Sequence, residues 1–394
     1  MTSSYRTTLT AFRRFVKFLD LPWHKPQLGN LVLLGAAFFQ ERSLPLRRLA
    51  RGLAGPTRDH RAPDKRLRRF LGNEKLDLSG ALAALLTFLL PRFGPVPFVP
   101  VMLDWTFVGT TYAVLWAQIP YRGRSFPLLC RVYAYCHLGN TQHEIALLRE
   151  IAAAWPATSP RPLLLADRGF PKCELLKWLG EAKWFFLIRA KQSLVVRDAA
   201  GHRVDLHTNP RDTTRFWTGV TVLGQLAGVV QVVVRTRTGK KGLATHWILV
   251  TNMPTELLSW ATRLYRHRMQ PEETHRDCKR GHFVGGFALA HLRRLRSDRL
   301  ERLLFCVGIC YAYLNLLAET DRETRKWFQR RHWGLSLITF ALDLIHMLEG
   351  RLLAVTRAAL ASVQWLPLWL EDDDGPEGSE QPGAGQGLSS AVAA

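Results

Sequence analysis

The sequence predicts a mixed α/β (α+β) fold, a stranded centre flanked by helical N- and C-terminal regions. Three patterns carry this expectation. From Pro97 onward, apolar runs of strand length alternate with amphipathic helical segments. Residues 193–245 hold only β-type runs, separated by Gly, Asn-Pro and Lys-Lys-Gly turns. Residues 1–95 and 301–370 repeat apolar positions at helical spacing instead. At 394 residues, 47% apolar and 22% charged, the chain can bury a large core and has a globular composition.

Within residues 1–95, an apolar stretch from Leu31 to Phe39 comes first. Ser43 can then cap a helix reaching Leu53, and the turn-rich GPTRDHRAPD leads into KRLRRFLGN. Two short basic helices about a turn resemble a helix-turn-helix. Arg47, Arg48, Arg51, Arg66 and Arg69 are its candidate DNA contacts; the plain alternative is a basic hairpin packed on the core.

Residues 96–192 form the first part of the α/β core. VPFVPVMLDWTF, YAVLWAQIPYR and FPLLCRVYAYC read as strands, His143 to Trp155 as a helix, and PRPLLLADRGF as a strand ending at Asp167. Cys173 to Leu179 is helical and WFFLIRA is a further strand. Residues 193–245 are an all-β insertion, and residues 246–300 resume the core through HWILVTN and the helical TELLSWATRLYRHRM. Residues 301–370 are helical; residues 371–394 lack apolar content and are expected to be disordered.

The charge balance restricts partners. Lys and Arg number 54 against 32 acids, a net +22, and six of those acids lie from Glu371 onward. The remainder carries 54 bases against 26 acids, a net +28, which calls for a polyanion. No run reaches about 18 uninterrupted apolar residues, so no spanning helix is expected. The N-terminal segment lacks the apolar centre of a signal peptide, which predicts a cytoplasmic, nucleoid-associated protein. The six Cys form no C-x2-C pair, so neither a structural zinc nor a disulfide is expected.

The most informative segment is YRHRMQPEETHRDCK, Tyr265 to Lys279. Tyr265, Arg268, Glu272, Arg276 and Lys279 stand at offsets 0, 3, 7, 11 and 14. At about 100° per residue they share one stripe of a helix, and a core-facing stripe would be apolar. Pro271 bears on this: the helix either breaks between Arg268 and Glu272 or starts afresh at Pro271. Asp104 follows VPVML and Asp167 follows LLLA, each at the expected end of a buried strand. Each acid alone could cap a turn or pair along a helix. Together, two strand-end acids and one helical acid can hold two Mg²⁺ ions about a scissile phosphate.

These residues carry a family resemblance. Y-x2-R-x3-E-x6-K is the signature of bacterial DDE transposases of the insertion sequence four family. RMQPEETHRDCK resembles the subgroup of the tetracycline-resistance transposon, as do LDWT at Asp104, D-x-GF at Asp167 and the W-x-L-x-TN-x-P element at Trp247. The resemblance spans most of residues 30–345. It implies an RNase H-like core split by the β insertion, and cut-and-paste transposition through a hairpin intermediate. Asp104, Asp167 and Glu272 would be the catalytic, metal-binding triad, with Mg²⁺ as cofactor and Mn²⁺ able to substitute. Tyr265, Arg268, Arg276 and Lys279 would hold phosphates, and Trp247 would stack on a displaced base; its alternative is a sheet-core Trp. The implied partners are double-stranded DNA, as inverted-repeat element ends and target, and a second copy in a homodimer on DNA, with no membrane. The competing readings are another RNase H-like DNA nuclease and a catalytically inactive DNA-binding derivative.

Overall fold

The computed structural model describes residues 3–54, 59–208, 210, 212–224, 229–238, 244–279, 287–292, 294–320 and 337–365. The N-terminal region is helical: α1 (Ser3–Phe18), α2 (Lys25–Glu41), α3 (Leu46–Ala54), α4 (Arg61–Leu71) and α5 (Leu78–Leu89). Ser43 is buried and its hydroxyl makes no hydrogen bond, so it does not cap α3. The Pro45 carbonyl instead accepts from the amides of Arg48 and Leu49 and opens that helix.

The centre is one ten-stranded sheet in the order β3-β2-β1-β4-β5-β10-β9-β8-β6-β7. Its first half comprises β1 (Phe98–Val108), β2 (Tyr112–Tyr121), β3 (Arg124–Ala134), β4 (Arg161–Ala166) and β5 (Phe185–Arg189). The β1, β2 and β3 strands form an antiparallel meander, whereas β4 lies parallel to both β1 and β5. That order and polarity make the core RNase H-like. Continuous apolar runs such as FVPVML fit strands covered on both faces.

The second half comprises β6 (Val196–Arg197), β7 (Arg203–Val204), β8 (Thr214–Val222), β9 (Val229–Thr238) and β10 (Ala244–Thr251). β10 pairs with β5 and then β9, so the inserted strands extend the core sheet itself. SLVVRD gives only the two-residue β6.

Helices α6 (Thr141–Ala154), α7 (Cys173–Glu181), α8 (Ala261–Arg266), α9 (Gln270–Lys279) and α10 (Ser297–Thr320) complete the core, and helices Leu337–Met347 and Leu352–Ser362 follow. α10 is long and apolar enough to cross a membrane by length and composition, which the count of uninterrupted apolar residues did not anticipate. Its apolar window is 94% buried inside the fold, the behaviour of a core helix. A Cβ at Gly308 would stand 2.7 Å from the Pro127 carbonyl, so this glycine lets α10 press onto β3. The expected disordered segment 371–394 lies outside the described residues.

Candidate active site

Strand register brings the first two acids together. β1 and β4 pair in parallel with Met102 opposite Leu165, and continuing that register two residues sets Asp104 level with Asp167. Adjacent strands are about 4.8 Å apart, so the carboxylates are neighbours. Asp104 is not at a strand end as its sequence suggests: it lies inside β1 and pairs across to Trp116 on β2. It reaches solvent because β4 stops at Ala166 and leaves that flank uncovered. Asp167 does follow its strand directly. Its Oδ1 accepts the Gly169 amide at 2.8 Å, and a Cβ on Gly169 would crowd that oxygen at 3.1 Å, which accounts for glycine in DRGF.

The third acid arrives on α9. The stripe is not one straight α-helix: α8 tightens into a 3-10 turn at His267–Met269 before α9 begins at Gln270. The Gln270 amide bonds the His267 carbonyl, an arrangement that suits a Pro271 with no amide to offer that carbonyl. The backbone stays right-handed through the turn, so Arg268 and Glu272 remain on one side.

Arg268 is the focus of the cluster. Its Nη1 donates to Glu272 Oε1 at 2.6 Å, while its Nη2 lies 3.4 Å from Asp104 Oδ1 and 3.4 Å from Asp167 Oδ2. Twice 3.4 Å is therefore the most that can separate those two Asp oxygens. Among the described residues no three His, Cys, Asp or Glu side chains form a ready metal cluster by themselves; the three acids meet through this guanidinium. Burial pushes the Asp104 carboxyl up to about 6, with Asp167 and Glu272 adding to the rise and Arg268 opposing it. Burial disfavours the charge on Arg268 too, but Asp104, Tyr265, Asp167 and Glu272 outweigh it and raise its pKa.

The other stripe residues divide. Tyr265 is buried against Trp247, ring centroids 5.5 Å apart and nearly perpendicular. Burial raises its phenol to about 12, so it acts as a neutral hydroxyl. Trp247 is half-buried on β10, with the Arg189 guanidinium 5.9 Å from its ring centroid. Arg276 is exposed and pairs with Glu273 at 2.6 Å. Lys279 closes α9, but its side chain lies outside the described residues. In the N-terminal region Arg47, Arg51, Arg66 and Arg69 are exposed and Arg48 is half-buried. Arg66 and Arg69 line a groove of about 660 Å³ with Asn30 and Asn73, and Arg66 Nε donates to Asn30 at 2.7 Å.

Two groups escaped the sequence reading. Glu144 on α6 is 1% exposed; it accepts from Trp105 Nε1 at 3.0 Å and from Lys172 Nζ at 3.1 Å. It thereby ties the residue after Asp104 to the loop after Asp167. His275 on α9 lies 3.8 Å from Asp104 Oδ2 through Nδ1. A Glu on the apolar stripe of its helix, with Leu147, Leu148 and Ile151 at +3, +4 and +7, was the available signal for the first, and the spacing of three from Glu272 for the second.

Three carboxylates from two strands and a helix, drawn round one arginine on a strongly basic chain, define a centre for chemistry on a polyanion. Residues 103–312, more than half of the chain, match the transposase DDE domain family, and the chain belongs to it. Membership makes it a DNA-acting transposase enzyme, of a class that generally uses divalent metal ions. Among solved structures, the piggyBac transposase in a synaptic complex with hairpin DNA is similar at 9% identity and a TM-score of 0.40, over 96% of this chain and 86% of that one. No curated protein sequence matches.

Proposed function

We propose that this chain is a Mg²⁺-dependent cut-and-paste transposase of the insertion sequence four type, with Asp104, Asp167 and Glu272 as its metal-binding acids. The observation that carries the reading is the convergence of these three carboxylates on Arg268. Their donor set is all hard oxygen, as Mg²⁺ or Mn²⁺ requires. The buried surplus of negative charge that lifts Asp104 is the kind a divalent cation relieves. Bound Mg²⁺ would activate the attacking oxygen and neutralise charge on the scissile phosphate.

The chain's own groups do the rest. Asp104 is held within β1 and Asp167 directly beyond the end of its paired neighbour β4, and Glu272 closes the third side from α9. Arg268, displaced from the acids, has a fork suited to two phosphate oxygens, and the neutral Tyr265 hydroxyl can donate to a third. Lys279 and Arg276 lie further along α9, toward flanking phosphates. Trp247, with Arg189 over its ring, is the base-stacking group of the hairpin step. Arg47, Arg48, Arg51, Arg66 and Arg69 give residues 1–95 their role in holding duplex DNA. Handling two element ends at once calls for a homodimer on DNA.

The test incubates the full chain with duplexes carrying its flanking inverted repeats and Mg²⁺, and follows nicking, hairpin formation and joining. Asp104→Asn, Asp167→Asn and Glu272→Gln should each abolish nicking. Nicking that survives any of them removes that residue from the triad, and cleavage without joining would favour a nuclease.

A further inference from the structure

His275 sits three residues beyond Glu272 on α9 and is 5% exposed. Its ring lies almost flat on Trp116, centroids 5.1 Å apart and planes 14° apart, so its orientation is fixed. Trp116 is the cross-strand partner of Asp104, and Gln118 stands two residues further on the same face of β2. The β2–β3 register shifts at Ala117/Gln118, where β3 carries one extra residue, Leu128. Gln118 Nε2 is 2.8 Å from His275 Nε2, on the ring edge away from Asp104.

Hydrogen-bond polarity settles the tautomer. The Gln118 carbonyl oxygen accepts the Ser125 hydroxyl, and Ser125 Oγ lies 2.9 Å from Thr274 Oγ1. Gln118, Ser125 and Thr274 are all fully buried, so none turns to water for a partner. With its oxygen committed to Ser125, Gln118 presents only N–H to His275, whose Nε2 must accept. The imidazole is then neutral and carries its proton on Nδ1, toward Asp104 Oδ2. Donation toward the acid runs from Ser125 through Gln118 and His275 to Asp104.

We propose that His275 is a positioning residue that engages Oδ2 of Asp104 and turns Oδ1 toward the centre of the site. The division of oxygens is already present: Oδ1 is the atom 3.4 Å from Arg268, and Oδ2 the atom 3.8 Å from His275. That second distance is within about 1 Å of hydrogen-bond length, a gap that a small inward movement of the acids would close. The inference rests on Asp104 being a metal-binding acid.

The test exploits amide mimicry of the two ring nitrogens. In His275→Asn the amide nitrogen occupies the place of Nδ1 and can still serve Asp104; in His275→Gln it occupies that of Nε2 and cannot. Mn²⁺ affinity by calorimetry and single-turnover nicking of end DNA are read together on the full chain. His275→Asn should stay near wild type, whereas His275→Gln should lose about tenfold or more in both. Equal behaviour of the two, or a better His275→Gln, overturns the proposal. Ser125→Ala, a small change, frees the Gln118 amide to turn; ¹⁵N-histidine spectra should then lose the Nδ1–H tautomer of His275, and Mn²⁺ affinity should fall with it. An unchanged spectrum also overturns the proposal. Asp104→Asn is run alongside: retained nicking there refutes the Asp104 assignment itself, a result separable from any ranking of the His275 variants.

Discussion

Removing the charge of Asp104 should stabilise the metal-free protein while abolishing its activity. The carboxyl rises from an ordinary 3.8 to about 6, chiefly through burial. An acid with a raised folded-state pKa is harder to ionise in the fold than in the unfolded chain. Its penalty is full above the folded pKa and fades as pH falls through 6 toward 3.8. A shift of that size corresponds to about 3 kcal/mol at about pH 8, and to roughly half of that at about pH 5. Asp104→Asn keeps the shape and leaves an amide oxygen for Arg268, so it should recover much of this amount. In thermal melts with a chelator present, the variant should melt several degrees above wild type near pH 8, with the gain shrinking as the buffer is made acidic. A variant that melts at or below wild type near pH 8, or a gain that grows toward acid, would refute the argument that Asp104 is a strained buried charge.

Arg268→Gln should lower the melting temperature of the chelated protein, because three carboxylates lose their common cation, and added Mg²⁺ should stabilise it more than wild type; melts with and without Mg²⁺ decide this. Glu144→Leu should cost about 2 kcal/mol or more, since it strands the Trp105 indole and leaves Lys172 with the Gly139 carbonyl but no carboxylate, and Glu144→Leu with Lys172→Met should recover part of it in urea titrations. Trp247→Ala should leave first-strand nicking near wild type and reduce hairpin formation; a proportional loss of both steps would make it a packing residue of the sheet. Arg66→Ala with Arg69→Ala should weaken binding to end and random duplex alike, and reduce the log–log salt slope by about two.

Much of this was legible in the sequence because the relevant signals are local. Apolar runs between turn residues located β1 to β5, and the Y-x2-R-x3-E-x6-K spacing placed Arg268 and Glu272 together although a 3-10 turn replaced the straight helix. Spacing survived because the backbone stayed right-handed across the turn. The failures have one physical origin, in that they depend on what lies alongside. Asp104 reads as a strand-end residue, yet β1 runs on to Val108 and only its neighbour β4 stops early. SLVVRD has the composition of a strand, but only Val196–Arg197 finds partners. Ser43 has the chemistry of a helix cap and sits buried without that bond.

The same dependence on neighbours explains why the residues that steady the acids carry no motif. Asp104 and Trp105 are consecutive on β1, so their side chains point to opposite faces of the sheet. On the Asp104 face stand α9, Arg268 and His275; on the Trp105 face stand α6 and Glu144, which also grips Lys172 beyond Asp167. One strand is therefore held from both sides within two residues, and a carboxylate fixed this way has little freedom to follow a misplaced ligand. It follows that geometry at Asp104 should respond to substitutions on α6 that never touch DNA. Such residues contact the motif through tertiary packing alone, which is why spacing rules that found Arg268 from Glu272 could not find Glu144 from Asp104.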